Sequence, residues 1–226
     1  MKKLLLTSCL ALGLTSGLFA GTINVSQAIG GAAVGAVKDN FNAFNLGAAT
    51  QNDGVAMTVS FSGDGGVVSA ATNHYAAPFL SGGNGLGFGG GTGADNTRYL
   101  TTGIGTITFD FGWGNAQNYF GLLWGSVDDY NWLDFSFMGN PVRTVTGADV
   151  VAAANGDQGL LGTYYVNLFA DPGVFYDKVV AHASNYAFEI DNVAYGLNVS
   201  VPDNGATIAL LGLSLASLAF FRRKAA

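Results

Sequence analysis

Two carboxylates near the end of the chain are the residue types best suited to catalysis. Glu189 and Asp191 stand in the sequence Glu189-Ile190-Asp191-Asn192-Val193. Glycoside hydrolysis uses a pair of carboxyl groups, one as an acid or base and the other as a nucleophile or base. Glu189 is the only glutamate in the chain, so a second carboxylate would have to come from an aspartate. The segment is compatible with a diverged glycoside hydrolase, which we keep as the weakest of three alternatives.

The same segment resembles the Glu-x-Asp-x-x-Glu strand of jelly-roll glucanases, but it departs from that pattern at its last position. Ala194 stands where the second glutamate would be. A simpler interpretation is that Glu189 is solvated and that Asp191 and Asn192 bond the backbone of a turn. We therefore assign no catalytic residue and predict that the protein is not an enzyme.

Oxygen ligands for a metal ion are the next candidates. Five aspartates offer the donor type that Ca²⁺ prefers, although solubility of the surface explains them equally well. They are Asp128, Asp129 and Asp134 near one predicted hairpin and Asp171 and Asp177 near another. His74 and His182 are far apart in sequence and have no matching cluster of ligands. The sequence predicts no metal site and no cofactor, with Ca²⁺ as the alternative.

Aromatic side chains could bind a sugar, because an aromatic ring offers a broad apolar face with a polar edge. The candidates are Trp113, Trp124, Trp132 and the tyrosines, and core packing is the default for most of them. Trp124 and Trp132 flank the acidic pair Asp128 and Asp129. These four residues, Trp124, Trp132, Asp128 and Asp129, are the candidate ligand-binding residues of the chain.

The elements that carry these residues have the two-residue period of β-strands. Ile107, Phe109 and Phe111 alternate with polar residues, as do Val55, Met57, Val59 and Phe61. Val67 to Ala71 is predicted to return the chain, and Tyr119 to Phe135 to form two strands joined at Asp128-Asp129-Tyr130-Asn131, with Leu133, Phe135 and Phe137 facing inward. The remaining strands are Val142 to Thr146, Thr163 to Ala170, Tyr176 to Ala183 and Tyr186 to Tyr195.

Two features of this pattern bear on the fold. The apolar positions of the last strand change parity between Ile190 and Val193, which indicates a bulge near Asp191-Asn192 or a strand buried on both faces. Ser81 to Gly93 is a glycine-rich stretch that we interpret as a solvated loop. The whole pattern predicts an all-β, two-sheet β-sandwich or jelly roll over residues 21–200.

Composition agrees with an all-β domain. The 226 residues include 34 glycines and 16 phenylalanines, and only 11% are charged. Residues 21–200 contain four lysines and arginines against fourteen acids, a net charge of −10 that argues against a nucleic-acid partner. Cys9, the single cysteine, lies outside residues 21–200, so this region has no disulfide and no thiolate metal site.

Both ends of the chain are typical of export signals. Residues 1–20 have the lysines, apolar stretch and small residue of a secretory signal peptide. Residues 201–226 combine a polar motif (201–205), an apolar stretch (206–221) and a basic end (222–226). Sixteen residues at about 1.5 Å each span roughly 24 Å, short of the roughly 30 Å hydrocarbon core. The sequence predicts a single transmembrane helix that acts as a temporary anchor.

This C-terminal region resembles the PEP-CTERM class of bacterial sorting signals, in its VPDSG-type variant. The residues that carry the resemblance are Val201, Pro202, Asp203, Asn204 and Gly205, followed after the apolar stretch by Arg222, Arg223 and Lys224. A second block, from Phe120 to Phe135, is similar to a phrase FGLxWGSxDxYNxLxF of exosortase-dependent surface proteins.

The resemblance implies processing by a membrane enzyme called an exosortase, after export through the secretion machinery. It implies a cell-surface or extracellular location, with a transient anchor in the inner membrane of a Gram-negative-type bacterium. The sequence hypothesis is thus a structural protein of the cell surface or extracellular matrix. The alternative is a carbohydrate-binding module associated with exopolysaccharide, on the same β-sandwich.

Overall fold

A computed structural model describes residues 22–27, 31–85, 88 and 91–199. These residues form an all-β fold in which the regular helices are the short α1 (Gly147–Val150) and a 3-10 turn (Trp113–Asn115). The strands of the described residues are β1 (Ile23–Gln27), β2 (Val37–Asp39), β3 (Thr50–Asn52), β4 (Thr58–Ser62), β5 (Gly66–Ser69), β6 (Phe79–Leu80), β7 (Gly93–Ala94), β8 (Arg98–Thr102), β9 (Thr106–Asp110), β10 (Tyr119–Gly125), β11 (Asn131–Phe137), β12 (Asn140–Thr146), β13 (Tyr164–Ala170), β14 (Lys178–Ala183) and β15 (Phe188–Gly196).

The strands make two main antiparallel sheets in a sandwich-like arrangement. One sheet has seven strands in the order β1-β13-β10-β15-β8-β5, with β2 also paired to β15. The other has six in the order β12-β11-β14-β9-β4-β3, and β6 pairs with β7 as a small separate ribbon. The all-β, two-sheet prediction is confirmed. The predicted ends of the domains, 1–20 and 201–226, lie outside the described residues.

The core fills the space between the inner faces of the two sheets. Ile107 and Phe109 of β9 are fully buried, whereas Thr106, Thr108 and Asp110 on the other face are half-buried. Phe109 meets Phe120 of the opposite sheet with ring centroids 5.3 Å apart. Packing of this kind buries large aromatic area without any covalent crosslink. The alternation seen in the sequence therefore places the core correctly.

Strand partners differ from the hairpins expected. β4 and β5 follow each other in sequence, but β4 pairs with β9 in the six-stranded sheet and β5 pairs with β8 in the seven-stranded one. The segment from Ser126 to Tyr130 likewise carries the chain from β10 in one sheet to β11 in the other. Val55, expected on a core face, precedes β4 and is 68% exposed. Alternation reports which face of a strand is apolar, not which strand lies beside it.

The last strand contains the bulge that its parity change predicts. The pairing of β10 with β15 shifts register between Gly121 and Leu123, opposite Asp191 to Ala194. Asn192 has a φ of 50°, the left-handed conformation typical of a bulge residue. All nine residues of β15 are buried, so the strand is covered on both faces. Both parts of the prediction are confirmed.

Residues 71–85, 88 and 91–97, which we call the cover segment, lie across the outer face of the seven-stranded sheet. Leu80 of this segment packs with Leu123 and Tyr165 of the sheet, and the Phe88 ring lies 6.0 Å from the Tyr165 ring. Gly82 and Gly83 have positive φ values, which allow the turn after β6. The interpretation of Ser81 to Gly93 as a solvated loop is correct only in part, because Gly82, Gly91 and Thr92 are exposed whereas Phe88 packs on the sheet.

Among the described residues, the helices are all too short or too polar to cross a membrane. The predicted helix at 206–221 is not among those residues.

Candidate functional site

The Glu189 side chain lies under the cover segment and is only 2% exposed. One carboxylate oxygen accepts a hydrogen bond from the Ala76 N–H at 2.9 Å, and the other accepts one from the Ser126 hydroxyl. Burial raises the pKa of Glu189 to about 7, although both hydrogen bonds oppose the shift. The expectation of a solvated Glu189 is wrong: the outward-facing side of β15 is not the solvent side here, because the cover segment lies on it.

Asp191 is more deeply enclosed, with no exposed surface. Its Oδ1 atom accepts a hydrogen bond from the Asn192 N–H at 2.7 Å, and its Oδ2 atom has no donor. Burial, and then the neighbouring Asp95 carboxyl, raise the pKa of Asp191 well above its ordinary value. The Asp95 carboxyl therefore lies close enough to Asp191 to add to the cost of a negative charge there.

Asp95 is fixed by its own loop. Its N–H donates to the Pro78 carbonyl at 2.8 Å, and its Oδ1 accepts from both the N–H and the hydroxyl of Thr97. The Asp95 carboxyl thus approaches Asp191 from the cover segment, as the Ala76 N–H approaches Glu189. Two contacts from two parts of this segment therefore end on the same strand.

A tyrosine network continues this buried polar layer across the sheet. The Tyr119 hydroxyl donates to Asn167 Oδ1 at 2.6 Å and accepts from the Ala33 N–H at 3.0 Å. The Tyr165 hydroxyl donates to the Asn192 carbonyl at 3.1 Å. Burial raises the pKa of Tyr119 to about 12, so this hydroxyl stays protonated at neutral pH. The network joins the outer face of the sheet to residues that lie on top of it.

The buried polar groups of this layer bond parts of the fold to one another. Glu189 and Asp191 point to the same face of β15, but a sugar ring cannot reach either carboxyl group in this structure because both are enclosed. Their polar atoms hold the cover segment and the bulge in place. The residues that complete the layer, Ala76, Asp95 and Ser126, were missed by sequence analysis, because each meets β15 from a distant part of the chain and has no local pattern.

The two candidate tryptophans lie on different sheets. Trp124 of β10 has no exposed surface and packs on Phe188, with ring centroids 4.5 Å apart. Its position corrects the expectation that Trp124 belongs to a ligand-binding surface, since the indole has no face open to a ligand. Trp132 of β11 is half-buried on the outer face of the six-stranded sheet. The structure does not bring these two residues together.

One face of the Trp132 indole is already occupied. The His182 ring stacks on it, with an interplanar angle of 2° and centroids 4.9 Å apart. Asp134 Oδ2 accepts a hydrogen bond from Trp132 Nε1 at 3.2 Å and lies 3.2 Å from His182 Nε2. Burial lowers the pKa of His182 although the Asp134 carboxylate opposes this. Trp132 therefore belongs to a side-chain cluster, with His182 and Asp134, on the solvent side of this sheet.

The candidate aspartates differ in their environments. Asp128 is 5% exposed and burial raises its pKa, whereas its neighbour Asp129 is exposed. Asp171 accepts hydrogen bonds from Thr22 and Asn24, and Asp177 accepts one from the Met138 N–H at 2.9 Å. Among the described residues, no group of three or more His, Cys, Asp and Glu side chains is placed to hold a metal ion.

Comparison with known proteins identifies the C-terminal region. Residues 200–225 match the family model described as the VPDSG-CTERM motif, a sorting signal of the PEP-CTERM type. The motif implies export and a transient membrane anchor. The residues predicted as the sorting signal, Val201 to Gly205 and Arg222 to Lys224, fall within this match, although they lie outside the described residues. The resemblance inferred from the sequence is confirmed.

Two further comparisons concern the chain as a whole. No curated protein matches it. One solved structure, titled "Crystal structure of Agl-KA catalytic domain", is similar over 79% of this chain with 14% identity and a TM-score of 0.38. The matched region spans 31% of that chain. A similarity at this level carries no functional argument.

Proposed function

We propose, from the VPDSG-CTERM sorting signal that this chain carries at residues 200–225, that it is an exported structural protein of the cell surface or extracellular matrix. An exosortase recognises the signal, cleaves the chain near it and removes the C-terminal anchor. Before that step the anchor holds the protein in the inner membrane of a Gram-negative-type bacterium. The match of residues 200–225 is the observation that carries this proposal.

Properties of the body support a role outside the cell. Its sandwich-like core packs aromatic and aliphatic side chains from both sheets and needs no disulfide, since the only cysteine is Cys9. The net charge of −10 over residues 21–200 favours solubility in the extracellular medium. A compact acidic domain of this kind is suited to stay folded after its anchor is removed.

We also propose that the body is not an enzyme. The enclosure of Glu189 and Asp191 beneath the cover segment supports this, because a hydrolase needs both carboxyl groups open to its substrate. Release of reducing sugar from β-glucans by the protein, lost in Glu189→Gln, would overturn the non-enzymatic proposal. We expect the wild type and Glu189→Gln to show the same background rate.

The sorting proposal is tested by mass spectrometry of the extracellular protein in a host that encodes an exosortase. We expect no peptide from beyond about Gly205 in the mature protein, because the anchor is removed during export. In a strain that lacks the exosortase, the intact chain should stay in the membrane fraction. An intact C-terminus in the extracellular protein would overturn the proposal.

A double substitution sharpens the same test. Pro202→Ala with Asp203→Ala alters the polar motif and leaves the apolar stretch unchanged, so uncleaved protein should accumulate in the membrane. Asn198→Gly is the matched control upstream of the motif, since the φ of 61° at Asn198 suits glycine. Normal cleavage of the double variant would show that Pro202 and Asp203 are not what the exosortase reads.

A further inference from the structure

The outer face of the six-stranded sheet carries a groove near the turn between β11 and β12. Two adjoining depressions, of about 310 and 370 Å³, share Ser136 and Gly139. The first is lined by Asp110, Trp113, Met138, Asp177 and Lys178 and the second by Asp134, Pro141, Val142, Arg143 and Thr144. The groove therefore runs across four neighbouring strands, β12, β11, β14 and β9.

Strand register explains why polar side chains line the groove. Ser136 of β11 lies opposite Lys178 of β14, and Lys178 lies opposite Asp110 of β9. These three positions point away from the core, whereas the intervening Phe135, Val179 and Phe109 are buried. Neighbouring strands lie about 4.8 Å apart, so the groove presents a polar group at each step across the sheet.

The lysine and the arginine of this groove are each paired with an acid, and two further acids, Asp134 and Asp177, also line it. Lys178 Nζ lies 3.2 Å from Asp110 Oδ2, and Arg143 Nη2 lies 3.3 Å from Asp149 Oδ1. These partly exposed pairs present donors and acceptors together, and neither pair adds net charge. In a body that carries −10, they do not form a cationic patch that would attract an anionic polymer. The hydrogen-bonding character of the groove suits a neutral, hydroxyl-rich ligand.

An exposed aromatic side chain stands at one end of the groove. Trp113 is 77% exposed, and Met138 beside the same depression is 65% exposed. The indole is carried by the 3-10 turn Trp113–Asn115, which follows the end of β9. An indole offers a broad apolar face, and the C–H side of a sugar ring is apolar in the same way. In contrast to Trp124 and Trp132, Trp113 has most of its surface open to solvent.

We propose that this groove binds a neutral polysaccharide chain, with the Trp113 indole stacked on one sugar ring and Ser136, Thr144 and the paired charges bonding the hydroxyls of the next. The outer face of the other sheet does not compete for this role, because the cover segment lies on it. The proposal does not depend on the sorting signal. A protein that is cleaved normally but binds no sugar would overturn this inference alone.

Co-sedimentation with insoluble polysaccharides tests the proposal on the full-length chain, solubilised in a polyoxyethylene detergent that contains no sugar. The probes are cellulose, an insoluble β-1,3-glucan and an insoluble α-glucan, with calcium alginate beads as the acidic polymer. We expect saturable binding to at least one neutral polymer. Trp113→Ala should weaken that binding about tenfold or more, because the stacking face is lost. Trp113→Phe, which keeps an aromatic face, should restore most of it.

Leu161→Ala is the matched control, since Leu161 is 75% exposed and lies on the loop that precedes β13. It should bind like the wild type, and all variants should unfold at the same urea concentration. Unchanged binding by Trp113→Ala, binding to alginate alone, or no binding to any neutral polymer would overturn the proposal. So would sedimentation velocity showing a dimer that Trp113→Ala dissociates, because the groove would then bind a second copy of the chain.

Discussion

The Glu189 carboxylate accepts a hydrogen bond at 2.9 Å from the Ala76 N–H, which lies 113 residues earlier in the chain. Ser126, in the connection between the two sheets, donates to the other oxygen. One side chain thereby joins the cover segment, the strand β15 and a crossing between sheets. The two hydrogen bonds favour the ionised form of Glu189, whereas burial disfavours it more strongly. The stability of this contact therefore depends on pH.

Glu189→Gln should make the stability of the protein less dependent on pH. The pKa of Glu189 is raised to about 7 in the folded protein, above the ordinary value of 4.5. Such a group contributes stability that is fully present below pH 4.5 and is lost as the pH rises through 7. The loss is on the order of 3 kcal/mol at most. Urea denaturation followed by circular dichroism should show the wild type losing more stability than Glu189→Gln between pH 5 and 8.5.

Glutamine suits this test because its amide can accept from Ala76 and donate to Ser126. The matched control is Gln158→Asn, which changes an exposed side chain that does not titrate and should leave the pH profile unchanged. Identical pH profiles for Glu189→Gln and the wild type would contradict the assignment of a buried, titrating Glu189.

The difference in unfolding free energy between Asp191→Asn and the wild type should favour the variant more at pH 8 than at pH 5. The folded-state pKa of Asp191 is raised by burial and by Asp95, so its contribution to stability is also lost as the pH rises. An asparagine side chain does not titrate, so the variant should not show this loss of stability. Denaturation at the two pH values measures the difference, with Asp191→Ala as the variant that loses the polar contact and leaves a cavity. The same change in stability for Asp191→Asn at both pH values would contradict the raised pKa of Asp191.

Sequence analysis predicted those features of the fold that depend on neighbours along the chain. The alternation of Ile107 and Phe109 located β9, and the parity change after Ile190 located the bulge. Sheet membership could not be read in this way, because the partner of β5 is set by packing with β8 and not by the turn that precedes it.

The burial of Glu189 could not be predicted for a related reason. Parity placed it correctly on the outer face of β15, but the residues that cover this face come from Ala76 and its neighbours, more than a hundred positions away. A glycine-rich composition indicates a loop without indicating where the loop packs. The prediction that Trp124 binds a ligand was wrong for a similar reason, since an aromatic side chain in a strand can face either the core or the solvent.

The three tryptophans should differ in their importance for stability. Trp124→Ala removes a fully buried indole packed on Phe188 and should cost about 3–5 kcal/mol. Trp113→Ala removes an exposed side chain and should change the free energy of unfolding by about 0.5 kcal/mol or less. Urea denaturation monitored by far-ultraviolet circular dichroism measures both. A Trp124→Ala variant as stable as Trp113→Ala would contradict the burial of Trp124.

Gly121→Ala tests how tightly the buried tyrosine layer is packed. A Cβ atom at Gly121 would fall on the Tyr119 hydroxyl and 2.8 Å from the Tyr165 hydroxyl. Neither hydroxyl can move freely, because Tyr119 bonds Asn167 and Tyr165 bonds the Asn192 carbonyl. We therefore expect a loss of about 1–3 kcal/mol in the free energy of unfolding, the usual cost of overpacking.

Gly66→Ala is the matched control for this substitution. Gly66 also lies in a strand of the seven-stranded sheet, but an added Cβ would meet nothing within 4 Å. Alanine should be neutral or slightly stabilising there, because it restricts the unfolded chain more than glycine does. If both variants lost the same stability in urea, a general cost of replacing strand glycines would explain the result. A loss of stability confined to Gly121→Ala would instead show that the added Cβ collides with the Tyr119 and Tyr165 hydroxyls. These hydroxyls lie where the outer face of the sheet meets the residues that cover it.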